Sequence, residues 1–297
     1  MLQVSEIEGR LVTAPGSAGS SSTAKSPTEE LFGDAFSRKL EALAAEKAEE
    51  YQNNKPFSHI YFDDFLPLAA AEAALSEFPE PREITWQEFD RPTEKKLAFD
   101  FVEKLPPSIR EVLFFLNSRP MIQFLEVLTG IDGVIPDPYY IGGGLHQIKP
   151  GGKLEVHVDF NRHRKLQLDR RINVLIYLNK NWSEEYGGHF ELWNRDMSAA
   201  ERKILPVFNR CAIFSTTEFS YHGHPTPLAC PPDRTRKSMA TYYYSNGRPD
   251  EQVADEHTTV FKARPGTKLE EPRTPVKDIL RSLTPPVIWN GLKSLRK

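Results

Sequence analysis

The chain has 297 residues, of which 39% are hydrophobic and 11% aromatic, so it is not a wholly disordered protein. Its 38 Lys and Arg against 41 Asp and Glu give a net charge of -3, which argues against a dedicated nucleic-acid binder. The sequence shows no apolar run that could span a membrane, no signal peptide and only two cysteines, so we expect a cytoplasmic protein without a membrane partner.

The first half of the chain is predicted to be mostly helical. Residues 11–30 are rich in Ser, Ala, Gly, Thr and Pro, and are predicted to be a flexible linker or tail. Residues 31–51 repeat Phe and Leu at helical spacing, which predicts an amphipathic helix that packs on a core. Further helices are predicted over residues 69–78, 107–116 and 121–128.

After Gly130 the pattern changes to short β-type runs between Gly, Pro and Asn. With no helical pattern between them, these runs predict an antiparallel sandwich or barrel. The runs cover residues 144–149, 154–160, 173–178, 189–193, 211–215, 219–222 and 239–245.

Four parts follow from this pattern. They are a flexible segment (1–30), a mainly helical part that packs on the core (31–130), an all-β core (131–249) and a polar tail (250–297). Within the tail, residues 276–283 and 287–295 favour short helices.

One run carries two possible metal ligands. In LEVHVDF, His157 and Asp159 are two residues apart on a predicted strand, so both point to the same face. A buried ionised carboxylate is costly without a partner, so the two side chains either pair with each other or bind a cation.

A third candidate ligand occurs in SYHGHP, where His222 could lie beside His157 if a later strand returns across the barrel. Two histidines and one carboxylate are typical of the facial triad of non-haem Fe(II) sites, and zinc is the chemical competitor. His224 shares the face of His222 and is its rival as the third ligand.

Arg236 and Ser238 lie on one face of the last predicted strand, in RKSMATYYY. A guanidinium binds a carboxylate in bidentate fashion and a hydroxyl adds one hydrogen bond, so this pair suits a dicarboxylate co-substrate.

Other polar residues near the motif have simpler interpretations. Residues 162–165 (RHRK) form a basic lip, which is either a solvated loop or a recognition site for an acidic substrate. His146 and His189 are expected to be core or pocket-wall residues, and Cys211 and Cys230 have no catalytic pattern around them.

Residues 57–246 resemble the 2-oxoglutarate- and Fe(II)-dependent oxygenases of the prolyl 4-hydroxylase-like branch. The motifs that carry this resemblance are FDDFLP (62–67), GGGLH (142–146), GGKLEVHVDF (151–160), NVLIYLN (173–179), GGHFELW (187–193), SYHGHP (220–225) and RKSMATYYY (236–244). The resemblance implies a double-stranded β-helix, or jelly roll, with helices packed on one side.

The resemblance also implies that iron binds His157, Asp159 and His222. The C5 carboxylate of 2-oxoglutarate would pair with Arg236, assisted by Ser238, and Tyr177 would line its pocket. Related proteins often carry a tyrosine on the strand before the first ligand, and this chain has Ile148 there instead.

The implied activity is the O₂-dependent hydroxylation of a C–H bond, with release of succinate and CO₂ and with help from ascorbate. The substrate would be peptidyl or a free amino acid, prolyl-hydroxylase-like. Three alternatives stay open: a small-molecule tailoring hydroxylase, a metal-free jelly-roll binding module and a zinc hydrolase on the same ligands.

Overall fold

The structure is a computed structural model and describes residues 25–269. The α-helices among these residues all lie in the first half of the chain. They are α1 (Pro27–Leu31), α2 (Asp34–Asn53), α3 (Leu68–Ser76), α4 (Pro107–Leu116) and α5 (Arg119–Thr129).

Helix α1 begins inside the segment predicted to be a flexible linker or tail. Ser26 caps it through a capping box, in which its side chain accepts from the Glu29 amide and the Glu29 side chain accepts from the Ser26 amide. Residues 1–24 of that prediction lie outside the described residues, as do the helices predicted over 276–283 and 287–295.

The strands of the second half coincide with the predicted runs to within a few residues, except that β4, β9 and β13 were not predicted. The strands are β1 (His59–Phe62), β2 (Gln87–Arg91), β3 (Glu94–Phe99), β4 (Ile135–Pro136), β5 (Gly144–Ile148), β6 (Leu154–Val158), β7 (Asp169–Tyr177), β8 (Phe190–Trp193), β9 (Ala200–Ile204), β10 (Arg210–Ser215), β11 (His222–His224), β12 (Arg236–Ser245) and β13 (Val260–Phe261).

The strands form one antiparallel sheet that curls into a nearly closed barrel. The order is β1-β10-β7-β12-β5-β3-β6-β11-β8-β9. Three further strands pair outside this order: β2 with β3, β4 with β12 and β13 with β6. β3 joins the two halves of the barrel because it pairs with both β5 and β6. The predicted jelly-roll core with N-terminal helices is confirmed.

Alternation along β7 decides which side chains face the helices and which face the barrel interior. Ile172, Val174 and Ile176 belong to the apolar core shared with the helices. Asn173 and Tyr177 occupy the alternate positions and line the interior. The central strand therefore buries one apolar face and presents polar groups on the other.

The helices hold this central part of the sheet in place. Phe124 of α5 packs against Phe62 and Phe65, with ring centroids 6.0 and 5.8 Å apart. Tyr243 of β12 donates its hydroxyl proton to the Leu116 carbonyl at the end of α4, over 2.6 Å. The interior residues of β7 and β12 thus sit on a rigid support.

Residues 31–130 are not exclusively helical, because β2 and β3 form a hairpin in the middle of them. The sequence pattern does not reveal β2, since all five of its residues are exposed or half-buried and show no apolar alternation. Among residues 25–269, no helix is long and apolar enough to cross a membrane.

Candidate functional site

His157 and Asp159 project from the end of β6 into the barrel interior. Val156 and Val158 pack with Tyr221 on the opposite face, so the alternation of the strand directs His157 inward. Asp159 follows the last residue of β6, and its Oδ1 atom lies 3.5 Å from Nε2 of His157.

His222 begins β11 and pairs directly with His157 in antiparallel register. The two imidazole rings are 4.3 Å apart, and His222 Nε2 is 3.4 Å from Asp159 Oδ2. One ligand atom from each of the three residues lies within 4.8 Å of the others. The structure brings together the three residues that the sequence nominates as metal ligands.

Both histidines are held in the tautomer that suits a metal. His157 Nδ1 lies 2.9 Å from the Glu155 carbonyl, and His222 Nδ1 lies 2.8 Å from the Ser220 carbonyl. Because a carbonyl only accepts, each Nδ1 carries the proton and each Nε2 keeps its lone pair. Burial, and next the neighbouring His157, lower the pKa of His222 to about 4, so its ring is neutral at physiological pH.

Asp159 is supported by two residues of β7. Its Oδ2 atom accepts hydrogen bonds from Arg170 Nη2 at 3.0 Å and from Asn173 Nδ2 at 2.7 Å. Asn173 Oδ1 in turn accepts from Arg170 Nε at 2.9 Å, which closes the network. Burial acts to raise the pKa of Asp159, but Arg170 and the two histidines outweigh it and hold the pKa well below its usual value.

Arg170 itself is fixed by two aromatic rings. Its guanidinium carbon lies 4.3 Å from the Phe160 ring centroid and 3.5 Å from the Tyr242 ring centroid, and the side chain is buried. Such stacking stabilises a desolvated cation. Arg170 and Asn173 were not predicted, since their roles depend on contacts with Asp159, Phe160 and Tyr242 that only the fold creates.

A small cavity beside the triad contains the residues that were predicted to bind a dicarboxylate. This inner cavity, of about 90 Å³, is lined by His157, Asp159, His222, Tyr177, Arg236 and Ser238, among others. Ser238 pairs in register with Tyr177, and Arg236 pairs with Ile148. The position where related proteins often have a tyrosine therefore faces Arg236 with an apolar side chain.

Arg236 is buried and held at one edge of its guanidinium. Its Nε atom donates to the Gly188 carbonyl at 2.8 Å, and its guanidinium carbon lies 4.9 Å from the Tyr177 ring centroid. Gly188 has φ +71, and a Cβ atom there would lie 2.5 Å from Leu228 Cδ2 and 3.0 Å from Arg236 Cδ. A glycine is therefore required for the close approach of Arg236.

The remaining histidines near the site differ in their surroundings. His224 is buried and lines the inner cavity, and it does not belong to the cluster of possible metal ligands. His146 also lines the inner cavity, where its Nε2 atom lies 3.1 Å from the Gly142 carbonyl. His189 lies outside that lining, and its Nε2 atom is 2.5 Å from Glu184 Oε2.

The donor atoms fit a divalent iron and a dicarboxylate. Two imidazoles and one carboxylate on one side of a centre form the facial triad that suits Fe(II). The buried guanidinium of Arg236 lines the cavity that begins at this centre and has the geometry to bind a carboxylate.

Residues 143–244 match the family model described as the 2OG-Fe(II) oxygenase superfamily. They form a 2OG-Fe(II) oxygenase domain. Such a domain uses Fe(II), 2-oxoglutarate and O₂, and its activity is that of a dioxygenase. No curated protein matches the chain.

The fold of the oxygenase domain is also found in solved structures. A prolyl hydroxylase from Trichoplax adhaerens, in complex with a hypoxia inducible factor peptide fragment, is 18% identical, with a TM-score of 0.50 over 73% of this chain and 96% of its own. A prolyl-4-hydroxylase from Pseudomonas putida is 15% identical, with a TM-score of 0.50 over 69% of this chain and 100% of its own. HygX from Streptomyces hygroscopicus, solved with nickel, 2-oxoglutarate and hygromycin B, is 10% identical, with a TM-score of 0.47 over 72% of this chain and 95% of its own.

A second, larger cavity also borders the triad. This outer cavity, of about 580 Å³, is lined by His157 and Asp159. Its further lining comes from the β2–β3 hairpin, the loop after β6, strands β7 and β12, and residues near β13: Phe89, Arg91, Glu94, Lys96, Phe160, Arg162, Arg164, Arg170, Tyr242, Glu256, His257, Thr258, Thr259 and Phe261, among others. Five of these side chains are cationic and two are acidic.

The predicted basic lip contributes to the outer cavity through Arg162 and Arg164, which are exposed. His163 does not belong to this surface, because it is buried and its Nε2 atom lies 3.2 Å from Asp137 Oδ1. Its Nδ1 atom accepts from the amides of Lys165 and Leu166, so this histidine anchors the loop from inside.

A segment after the barrel, residues 255–262, closes one side of the outer cavity. We name it the C-terminal strap. Its strand β13 pairs with β6, with Phe261 opposite His157 and their rings 5.5 Å apart. His257 Nε2 lies 2.9 Å from Glu218 Oε1, and the backbone amide of His257 donates to Asn161 Oδ1 at 3.0 Å. These residues were predicted to belong to a polar tail, and their role as a wall of the outer cavity was not predicted.

Proposed function

We propose that the protein is a dioxygenase that hydroxylates a substrate C–H bond, with iron on His157, Asp159 and His222. Bound iron and 2-oxoglutarate would allow O₂ to oxidise that bond, and 2-oxoglutarate would be decarboxylated to succinate and CO₂ in the same reaction. The observation that carries this proposal is that both cavities border His157 and Asp159 of the same triad. One cavity suits the co-substrate and the other suits the substrate.

The chain's own residues position the ligands and exclude water. The backbone carbonyls of Glu155 and Ser220 orient the two imidazoles, and Arg170 orients Asp159. The ring of Phe214 packs on His222, with centroids 4.7 Å apart, which keeps that side of the centre apolar. We assign no general base, because the proposed reaction needs none from the protein.

The far end of 2-oxoglutarate would be held in the inner cavity. Arg236 offers its free guanidinium edge to the C5 carboxylate. Ser238 lies on the same strand as Arg236, and Tyr177 lies opposite Ser238 on the neighbouring strand. Burial raises the pKa of Tyr177, so its hydroxyl stays protonated and donates a hydrogen bond to an anion.

The substrate is either a peptidyl or free amino acid, as in prolyl hydroxylation, or a small molecule of a biosynthetic pathway. The C-terminal strap favours a small substrate, because β13 fills the edge of β6 that an extended peptide could otherwise join. The outer cavity, of about 580 Å³, also lies within the range of ordinary small-ligand sites.

O₂-dependent formation of succinate tests the proposed function. The purified protein is incubated with Fe(II) and 2-oxoglutarate, with and without ascorbate, and with panels of free amino acids and short proline-containing peptides. We expect succinate to form only with Fe(II) and O₂, and faster with a substrate. Ascorbate should sustain turnover by keeping iron reduced.

We also propose that the protein is located in the cytoplasm.

Two variants separate the roles within the site. Asp159→Ala should abolish turnover, because a facial triad without its carboxylate loses metal affinity. Arg236→Ala should mainly weaken the affinity for 2-oxoglutarate. Activity with Zn(II) and without O₂ would support a hydrolase, and failure to bind Fe(II) would support a metal-free binding module.

A further inference from the structure

His224 is a buried imidazole without a protein partner. Its side chain lines the inner cavity and only 5% of the residue is exposed. Neither Nδ1 nor Nε2 makes a hydrogen bond within the described part of the chain. A buried polar group in this condition is costly unless something else satisfies it.

The register of β11 separates His224 from the metal centre. His222 pairs with His157, whereas His224 pairs with Leu154 at the start of β6, after a register shift. His224 does not belong to the cluster of possible metal ligands, and it lines the same small inner cavity as Arg236.

The inner cavity also contains donors that the described residues leave unused. The Tyr177 hydroxyl, like His224, has no hydrogen-bond partner among residues 25–269. Arg236 uses Nε on the Gly188 carbonyl and leaves the other edge of its guanidinium toward the cavity. A guanidinium, a phenol and an imidazole N–H are satisfied together by a group that only accepts, which is a carboxylate.

We propose that His224 donates a ring N–H to the C5 carboxylate of 2-oxoglutarate and thereby positions the co-substrate without binding the metal. This inference rests on the proposed function. Ile148 provides no polar group opposite Arg236, so His224 and Tyr177, which have no hydrogen-bond partner among residues 25–269, supply further hydrogen bonds within the inner cavity.

The test compares His224→Leu, which removes both ring nitrogens, with His224→Gln, which keeps a donor. The Mn(II)-loaded protein is titrated with 2-oxoglutarate under nitrogen in a calorimeter, and Mn(II) affinity is measured separately. For His224→Leu we expect affinity for 2-oxoglutarate to fall about tenfold or more, the effect of a lost hydrogen bond to a charged group. Mn(II) affinity should stay unchanged, and His224→Gln should regain most of the 2-oxoglutarate affinity.

A second keto acid distinguishes a direct contact from a damaged cavity. 2-Oxobutanoate keeps the keto-acid end of 2-oxoglutarate and lacks the distal carboxylate, so its affinity should be the same in wild type and His224→Leu. Equal weakening of both acids would overturn the inference, because it would indicate a general collapse of the cavity. If His224→Leu does not fold, His224→Phe takes its place, since it keeps the volume of the ring.

Two further results would overturn the inference. One is unchanged 2-oxoglutarate affinity in the folded variant, and the other is a loss of Mn(II) affinity as large as that of His222→Leu, which would make His224 a ligand. If the wild-type protein itself does not bind 2-oxoglutarate, the proposed function fails. A different pattern would refute only the role of His224. In that pattern the wild type and His224→Leu bind 2-oxoglutarate equally well, and Arg236→Ala does not bind it.

Discussion

Arg170 Nη2 donates to Asp159 Oδ2 over 3.0 Å, so a buried cation is hydrogen-bonded to the carboxylate of the metal triad. Asn173 donates to the same oxygen at 2.7 Å. Because both donors come from β7, the position of Asp159 after the end of β6 is set by a strand in the other half of the barrel.

We predict that Arg170→Met weakens metal binding. The methionine keeps much of the volume between Phe160 and Tyr242 but removes the hydrogen bond that orients Asp159. The affinity for Mn(II), measured by calorimetry, should fall about 10- to 100-fold, as is typical when a partner of a metal ligand is removed.

Arg162→Met is the control for that prediction. Arg162 also lines the outer cavity, but it is exposed, and Asp159 is not among its hydrogen-bond partners. Its affinity for Mn(II) should stay close to that of the wild type. An equal loss in both variants would mean that general charge, and not the bond to Asp159, supports the metal.

A pair of neighbouring glycines allows a sharp test of the co-substrate pocket. Gly187 and Gly188 both have positive φ, +68 and +71, so alanine strains the backbone at either one. Only the Cβ of Gly188→Ala would meet Arg236 and Leu228, whereas a Cβ at Gly187 would meet nothing within 4 Å.

We therefore expect Gly188→Ala to raise the dissociation constant for 2-oxoglutarate about tenfold, since displacement of Arg236 weakens a charged hydrogen bond. Both variants should have a lower thermal midpoint than the wild type, because alanine is strained at a positive φ. Gly187→Ala should nevertheless bind 2-oxoglutarate normally. Equal affinities in the two variants would contradict the position assigned to Arg236.

The pairing of the C-terminal strap can be broken at one amide. Lys262 donates its backbone N–H to the Val156 carbonyl at 2.9 Å, and Lys262→Pro removes that donor. Hydrogen exchange followed by mass spectrometry should then show faster exchange in the strap and along β6.

Lys262→Ala keeps the amide and is the matched control, so its exchange should resemble that of the wild type. Unchanged protection in Lys262→Pro would show that the pairing between β13 and β6 does not hold the strap in solution.

Stability of the metal-free protein should depend on two buried histidines. Burial, and next His157, lower the pKa of His222 to about 4, and burial together with Arg236 lowers that of His224 well below its usual value. An unfolded histidine has a pKa of about 6.5, so at lower pH the unfolded chain binds protons that the folded protein does not. The free energy of unfolding should therefore fall as the pH decreases from about 6.5 toward 4.

Each such histidine contributes a slope of up to about 1.4 kcal/mol per pH unit in this range. Urea unfolding of the metal-free protein between about pH 7 and pH 5 measures that slope. The slope should be shallower in His224→Leu, and an identical slope would contradict a neutral, buried His224.

The triad was predictable because its geometry follows from local rules. Alternation on one strand gives His157 and Asp159 a common face, and an antiparallel return brings His222 beside them. Arg236 and Ser238 share a face of β12 for the same reason. The strand patterns of the core were also sufficient to predict an antiparallel barrel.

Arg170 and the strap were not predictable in this way. Arg170 and Arg171 are adjacent, and the sequence does not distinguish them. The fold places Phe160 and Tyr242 against the guanidinium of Arg170, so that Arg170 supports Asp159. β13 has two residues, Val260 and Phe261, and its role depends on the free edge of β6. Such contacts between separate segments produce no periodic residue pattern from which they could be predicted.

The most direct test of the account is a crystal structure of the protein with Mn(II) and 2-oxoglutarate, grown without O₂. We predict one Mn(II) on His157 Nε2, Asp159 and His222 Nε2, with the distal carboxylate of 2-oxoglutarate on Arg236. Metal bound by other residues, or a 2-oxoglutarate carboxylate that does not contact Arg236, would contradict it.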